Sequence, residues 1–153
     1  MSLRDDFNNA VKEAMKAGDK PRLSVVRLIT AALKDRDIAA RGGEHDGRIP
    51  DGEILSMLQK MIKQAQESQE TALNAGRAEL AEQAKAEIEI ISSFLPRQMD
   101  AEETKAAIAA VVAEIGASGM KDMGKVMAAL KERFAGKMDF SKTGPLVKEA
   151  LGA

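Results

Sequence analysis

Residues 23–33, Leu-Ser-Val-Val-Arg-Leu-Ile-Thr-Ala-Ala-Leu, carry the clearest structural signal in the chain. Apolar side chains recur there every three or four positions, with a main stripe at Leu23, Val26, Ile29 and Leu33 and with Val25, Leu28 and Ala32 beside it. Side chains at this spacing lie on one face of an α-helix. Asp19 and Pro21 precede the stretch and suit a helix start. We therefore predict an amphipathic helix that runs to about Arg41.

The same helical pattern extends outward over most of the chain. Ala, Leu, Glu, Lys, Gln and Met dominate, and no run alternates Val, Ile or Thr with polar residues, so the pattern favours helices over strands. Capping residues, glycines and prolines divide the chain into seven predicted helices: one over about 3–17, the one above, one from Asp51 to Gly76, one carrying Leu80 to Leu95, one from Asp100 to Gly116, one from Met123 to Gly136, and a last one starting near Thr143. The sequence thus predicts an all-α protein.

A short connector, Phe94-Leu95-Pro96-Arg97-Gln98-Met99, separates the fourth helix from the fifth. Pro96 ends the one helix, and Asp100 is suited to begin the next. We place a domain boundary there, which gives an N-terminal helical domain over residues 1–96 with four helices. The C-terminal domain over residues 97–153 then has three helices, close to the smallest size for an independent core.

Composition excludes several classes of protein and of site. The 153 residues include 23 Lys and Arg, 24 Asp and Glu, one His and no Cys. Without Cys there is no disulfide framework, thiolate metal site or cysteine nucleophile. No segment reaches the roughly 18 apolar residues of a membrane span, and the first residues lack a basic and then apolar leader. We expect a cytoplasmic protein that does not bind membranes.

No self-contained active site is visible in the sequence. The single histidine lies in the loop triplet Glu44-His45-Asp46, which we interpret as solvated because three consecutive residues do not readily converge on one metal or substrate. Ser92 and Ser93 lie near a helix end among apolar neighbours, so we do not expect either to be a nucleophile. We predict no catalytic residues, no metal site and no cofactor.

Positive charge is concentrated near the C-terminus. Residues 120–153 hold seven Lys and Arg against four Asp and Glu, a balance of +3. The seven are Lys121, Lys125, Lys131, Arg133, Lys137, Lys142 and Lys148. Such residues neutralise phosphates, and a glycine such as Gly124 lets a backbone approach a phosphate closely. With no Trp or Tyr and only four Phe, the chain lacks the aromatic side chains that stack single-stranded bases.

Several motifs make the chain similar to a known family over nearly its full length. They are the run from Arg27 to Ile38, Ile62-Lys63-Gln64, Ala75-Gly76-Arg77, Phe94-Leu95-Pro96-Arg97-Gln98, the run from Asp122 to Met127, and Leu146-Val147-Lys148-Glu149. On these motifs the chain resembles the YqeY family of small bacterial proteins. Its C-terminal part is also similar to the tail domain of GatB, a subunit of the tRNA-dependent amidotransferase.

The resemblance implies binding to tRNA or another structured RNA, not catalysis. The residues that it marks as nucleic-acid contacts are Lys121, Gly124, Lys125, Lys131, Arg133, Lys137, Lys142 and Lys148. Amidotransferase subunits are implied as protein partners, and an accessory role in glutamine-dependent carbon–nitrogen ligation is the first alternative. The second alternative is a helical adaptor that docks a protein on a methionine-lined face or on its N-terminal part.

Two arginines of the N-terminal part stand out, because one lies within an apolar stretch and the other follows a glycine that ends a helix. Arg27 lies between Val26 and Leu28, and Arg77 follows Gly76. Because a buried cation needs a partner, we predict an interhelix ion pair, for instance with Glu67 or Glu87.

Overall fold

The computed structural model describes residues 2–152, and within that range it is built only of helices. The α-helices are α1 (Leu3–Ala17), α2 (Lys20–Ala39), α3 (Asp51–Asn74), α4 (Ala78–Ser92), α5 (Ala101–Ile115), α6 (Met123–Arg133) and α7 (Phe140–Ala150), with a 3₁₀-helix over Met120–Asp122. The prediction of an all-α protein is confirmed. None of the helices described is long and apolar enough to cross a membrane.

The helix ends follow the capping signals of the sequence at several places. The Ser2 hydroxyl accepts a hydrogen bond from the Asp5 N–H, and the Asp5 side chain bonds back to Ser2, which forms a capping box at the start of α1. Gly18 ends α1 in the left-handed conformation with φ 67°. The Asp19 side chain then accepts from the Arg22 N–H and begins α2. The predicted limits of α1 are confirmed.

Several helix ends differ from the prediction: α4 ends at Ser92 and not at Leu95, and α6 ends at Arg133, three residues before Gly136. Helix α2 ends at Ala39, two residues early, and Pro50 occupies the position before α3 where Asp51 had been expected to cap. Helix α7 begins at Phe140 instead of near Thr143, because the Asp139 carboxylate accepts the Ser141 N–H at 3.0 Å and caps an earlier turn. Pro145 therefore lies inside α7, five residues after its first residue.

The chain divides into two compact units, residues 1–95 and residues 96–153. In the first unit α1 to α4 enclose one core, whose fully buried side chains include Phe7, Val26, Ile29, Leu58 and Ile91. Phe94 packs its ring against Phe7 edge to face, with ring centroids 5.1 Å apart. Leu28 departs from the prediction, since 52% of it is exposed although it neighbours the apolar stripe of α2.

Within the first unit, a partly buried ion pair connects α1 and α2 with the end of the loop between α2 and α3. The Asp37 carboxylate accepts hydrogen bonds from both Nη atoms of Arg4, at 2.7 and 2.9 Å, and from the Ile49 N–H at 2.9 Å. Arg4 also donates to the Ile49 carbonyl oxygen at 2.9 Å. The Arg4 guanidinium lowers the pKa of Asp37 from 3.8 to about 2, and the Ile49 N–H adds to this effect.

The second unit has its own core between α5, α6 and α7. Its buried residues are Ile108, Val111, Val126, Leu130, Met138, Val147 and Leu151. Two hydroxyl groups buried beside this core are satisfied locally, because Thr104 donates to the Asp100 carbonyl oxygen and Thr143 to that of Asp139. The Gln98 side chain and the Met99 N–H bond to the carbonyl oxygens of Gly136 and Lys137, which holds the start of this unit against the turn after α6.

Candidate nucleic-acid interface

All eight candidate contact residues lie in the second unit and are exposed. Lys121 is on the 3₁₀-helix, Gly124, Lys125, Lys131 and Arg133 are on α6, Lys137 is in the following turn, and Lys142 and Lys148 are on α7. The apolar sides of α6 and α7 face the core through Val126, Leu130 and Val147. Amphipathic packing therefore directs the charged residues of these helices into solvent.

The helix period spreads these charges around each helix and does not gather them in one stripe. Lys125 and Lys131 are six residues apart on α6, which places them about 120° apart around the axis at 3.6 residues per turn. Lys142 and Lys148 have the same separation on α7. The surface consequently offers positive charge in several directions, and a single straight phosphate backbone reaches only part of it.

Arg133 is the one arginine of the candidate set, and a carboxylate already holds it. Its Nη1 and Nη2 atoms donate to the two Oε atoms of Glu114 on α5, at 2.5 and 2.8 Å. The pairing lowers the pKa of Glu114 and raises that of Arg133, in each case first through the shared hydrogen bonds. Because this geometry uses the guanidinium fork that would bind a phosphate, Arg133 must leave Glu114 before it contacts RNA through the same atoms.

The six lysines differ from Arg133 in this respect. Within residues 2–152 the ion pairs formed are Arg4–Asp37, Arg97–Glu103 and Arg133–Glu114, and none involves a candidate lysine. Exposed ammonium groups without a fixed carboxylate partner are free to approach phosphates and to release counterions from them.

Gly124 occupies the second position of α6 with helical backbone. A Cβ atom built at this glycine would meet no atom within 4 Å, so the space above its backbone is open. The geometry permits the close backbone approach expected from the sequence, in the first turn where helix N–H groups carry partial positive charge.

The other residues weighed in the sequence lie outside any assembled site. Glu44, His45 and Asp46 are exposed, and the Ser93 hydroxyl donates to the Ile90 carbonyl oxygen at 2.6 Å as part of the helix end. No group of three or more His, Cys, Asp or Glu among the described residues is arranged to hold a metal ion.

The ion pair predicted for Arg27 and Arg77 is wrong. Both arginines are exposed, and neither forms an ion pair with a carboxylate of the described chain. Arg77 does line a groove of about 650 Å³ between α3 and α4 together with Glu67 and Glu87. The three charges thus line one groove without forming an ion pair, and Arg27 lines a separate depression on α2.

Sequence reasoning missed Glu114, the residue that restrains Arg133. The two residues are 19 positions apart and lie on different helices, so neither spacing nor local composition signals their contact. The only available hint was the excess of acidic residues in α5, which does not identify the partner.

Comparison with known proteins gives one family match and two relatives of similar sequence. The family model described as Yqey-like protein matches residues 4–151. The protein named Altered inheritance of mitochondria protein 41, mitochondrial, of Lachancea thermotolerans is 32% identical over 85 residues, which are 56% of this chain and 43% of the relative. The protein of the same name from Pyrenophora tritici-repentis is 27% identical over 148 residues, 94% of this chain and 77% of the relative.

The matched region covers less than half of the first relative. Both relatives are named as mitochondrial proteins, so the bacterial source and the cytoplasmic location expected from the sequence remain predictions. Neither name mentions RNA or an amidotransferase.

Proposed function

The chain belongs to the YqeY family, and on that basis we propose that it binds tRNA or another structured RNA, without catalysing a reaction, through the exposed basic residues of its second unit. The observation that supports this proposal best is the set of six exposed lysines that have no carboxylate partner in residues 2–152. Surface lysines that are already paired would lose that interaction on binding, whereas these lysines would not.

The chemistry of the surface favours recognition of backbone and shape over base reading. Lysine ammonium groups contact phosphates as point charges and carry no base-specific pattern of donors and acceptors. The aromatic rings of the second unit, Phe134 and Phe140, are partly buried against the core and are not free to stack on bases. Specificity would arise from the arrangement of phosphates in a folded RNA.

The first experiment is an anisotropy titration of total tRNA with the full chain. Replacing Lys125 and Lys131 by alanine should lower the affinity by about tenfold at about 50 mM salt, because we expect one of the two to contact a given RNA and each neutralised phosphate contributes up to about tenfold there. The matched control removes Lys12 and Lys63, two exposed lysines of the first unit. Equal affinities for the two double variants would contradict the proposal, as would the absence of saturable binding by the unmodified chain.

A second experiment uses the ion pair between Glu114 and Arg133. Glu114→Gln releases the guanidinium and should raise RNA affinity more than Glu102→Gln, which removes one exposed charge from the same helix without releasing a cation. Repeating the comparison with Arg133→Ala should abolish the difference. If Glu114→Gln and Glu102→Gln have the same effect in the presence of Arg133, this arginine takes no part in binding.

An accessory role beside a glutamine-dependent amidotransferase is a narrower form of the same proposal and rests on the GatB resemblance. Addition of the full chain to purified amidotransferase should then change the rate at which mischarged tRNA is amidated. The K125A/K131A variant should have a smaller effect than the unmodified chain, since the two proteins would act on the same RNA.

A further inference from the structure

The outer face of α2 and α4 in the first unit combines an exposed apolar side chain with a groove. Leu28 is 52% exposed and lines a groove of about 530 Å³ between the two helices. Val25 and Ile90 line the same groove and add apolar surface to it. A second depression, of about 430 Å³, lies on the other side of Leu28. Leu28 therefore forms an apolar wall that the two depressions share and that faces solvent.

Opposite charges flank Leu28 on this face. Lys20 and Arg27 line the smaller depression, and their separation of seven residues puts them on the same side of α2. Glu82 and Glu87 line the larger groove from α4. None of these four groups forms an ion pair within the described chain. One edge of the face is therefore basic and the other is acidic, and both edges lack partners.

We propose that this face binds the same face of a second copy of the chain, forming a twofold dimer. A twofold axis that passes near Leu28 and runs along the helices brings the basic edge of each copy to the acidic edge of the other. One rotation therefore pairs both basic edges with acidic edges. The apolar side chains of the two copies then meet at the centre, where water is excluded. We choose a second copy as the partner because it has the same basic and acidic edges, and after the rotation each edge faces one of opposite charge.

The dimer is independent of the RNA proposal, since it uses the first unit and the RNA contacts belong to the second. It is expected to be weak, because the apolar centre is small and exposed ion pairs contribute little each. Sedimentation equilibrium of the full chain from about 10 µM to about 1 mM covers the affinities of weak interfaces. The average mass should rise from that of one chain towards that of two, and less so at high salt.

Two charge-reversal variants test the arrangement of the edges. K20E/R27E makes both edges acidic, and E82K/E87K makes both edges basic. Each variant alone should associate at least about tenfold more weakly than the unmodified chain, because like charges then face each other. An equimolar mixture of the two should form heterodimers at least as tightly as the unmodified chain, since every edge again faces its opposite.

The control is K12E/K63E, which makes the same change in net charge as K20E/R27E elsewhere on the first unit and should dimerise like the unmodified chain. Circular dichroism of each variant checks that its helices are intact, as expected because none of the substituted side chains is buried. A single-chain mass for the unmodified protein at every concentration would overturn the proposal. Failure of the mixed variants to associate more strongly than either alone would also overturn it.

Discussion

The contact of Arg4 with Asp37 makes the stability of the first unit sensitive to one carboxyl group. The Arg4 and Asp37 side chains are 18% and 19% exposed, so their two hydrogen bonds are largely shielded from water. Asp37 also accepts the N–H of Ile49, which is itself buried. Replacing Asp37 by asparagine keeps the size of the side chain and removes its charge, which leaves the Arg4 guanidinium without a carboxylate.

The magnitude follows from the pKa of Asp37, which the Arg4 hydrogen bonds lower from 3.8 to about 2. A difference of one pKa unit corresponds to about 1.4 kcal/mol, which gives an upper value of about 2 kcal/mol for the folded state. About a fifth of each side chain is exposed, and solvent screening reduces this value to about 1 to 2 kcal/mol. We expect Asp37→Asn to lower the free energy of unfolding by that amount near pH 7.

The effect should depend on pH in a defined direction. Because the pKa of Asp37 is lower in the folded protein than in the unfolded chain, ionisation stabilises the fold above about pH 4, and this contribution is lost as the pH falls towards 2. The difference between the unmodified protein and Asp37→Asn should therefore be full near pH 7 and shrink between about pH 5 and about pH 2.

Urea unfolding followed by far-ultraviolet circular dichroism measures both quantities in the full chain. Asp35→Asn is the matched control, because Asp35 is exposed on the same helix and forms no ion pair with a described residue. Asp35→Asn should change the free energy of unfolding by no more than about 0.5 kcal/mol. The reasoning is refuted if Asp37→Asn matches Asp35→Asn near pH 7, or if its effect does not change down to about pH 2.

Further predictions concern the second unit and two glycines, each measured by thermal or urea unfolding. Met138→Ala should lower the free energy of unfolding by about 2 to 5 kcal/mol, because the side chain is 2% exposed in the core of the second unit; a loss below about 1 kcal/mol would show that the core refills the space. Gly18→Ala should destabilise α1 by about 1 kcal/mol through its positive φ of 67°, although no atom obstructs the new methyl group. Gly124→Ala should instead stabilise α6 by about 0.5 to 1 kcal/mol, since its backbone is helical and the space is open. If Gly124→Ala lowered the free energy of unfolding, as Gly18→Ala should, this explanation would be contradicted.

The sequence was sufficient to predict the helices because their signals are local. Ser2 and Gly18 define α1 within one turn of each end, and the spacing of Val26, Ile29 and Leu33 identifies the buried face of α2. The start of α7 was missed because the prediction did not use Asp139, whose carboxylate accepts the Ser141 N–H and caps an earlier turn. Leu28 was misplaced because periodicity gives the direction of a side chain but not the width of the face that a neighbouring helix covers.

Contacts between helices were beyond prediction from the sequence. Arg4 and Asp37 are 33 positions apart, and Arg133 and Glu114 are 19 apart, so their pairing depends on how the helices approach one another. The same limit applies to the candidate interface. Charge counts identified its lysines, but only the structure distinguishes the six without an ion pair from the one arginine that a carboxylate holds.

The number of phosphates that this surface can neutralise follows from the placement of its charges. Because each pair is about 120° apart around its helix, we expect one side of a rigid RNA helix to engage mainly one member of the pair Lys125 and Lys131, and one of Lys142 and Lys148. With Lys121 and Lys137 this gives about four contacts, and a plot of log affinity against log salt should have a slope of about −3, at 0.7 to 0.9 for each phosphate. Glu114→Gln should steepen the slope by about one, since it frees Arg133. A slope near −6 for the unmodified chain would mean that the RNA contacts all seven basic residues. The placement of the lysines around their helices would then not limit the number of phosphate contacts.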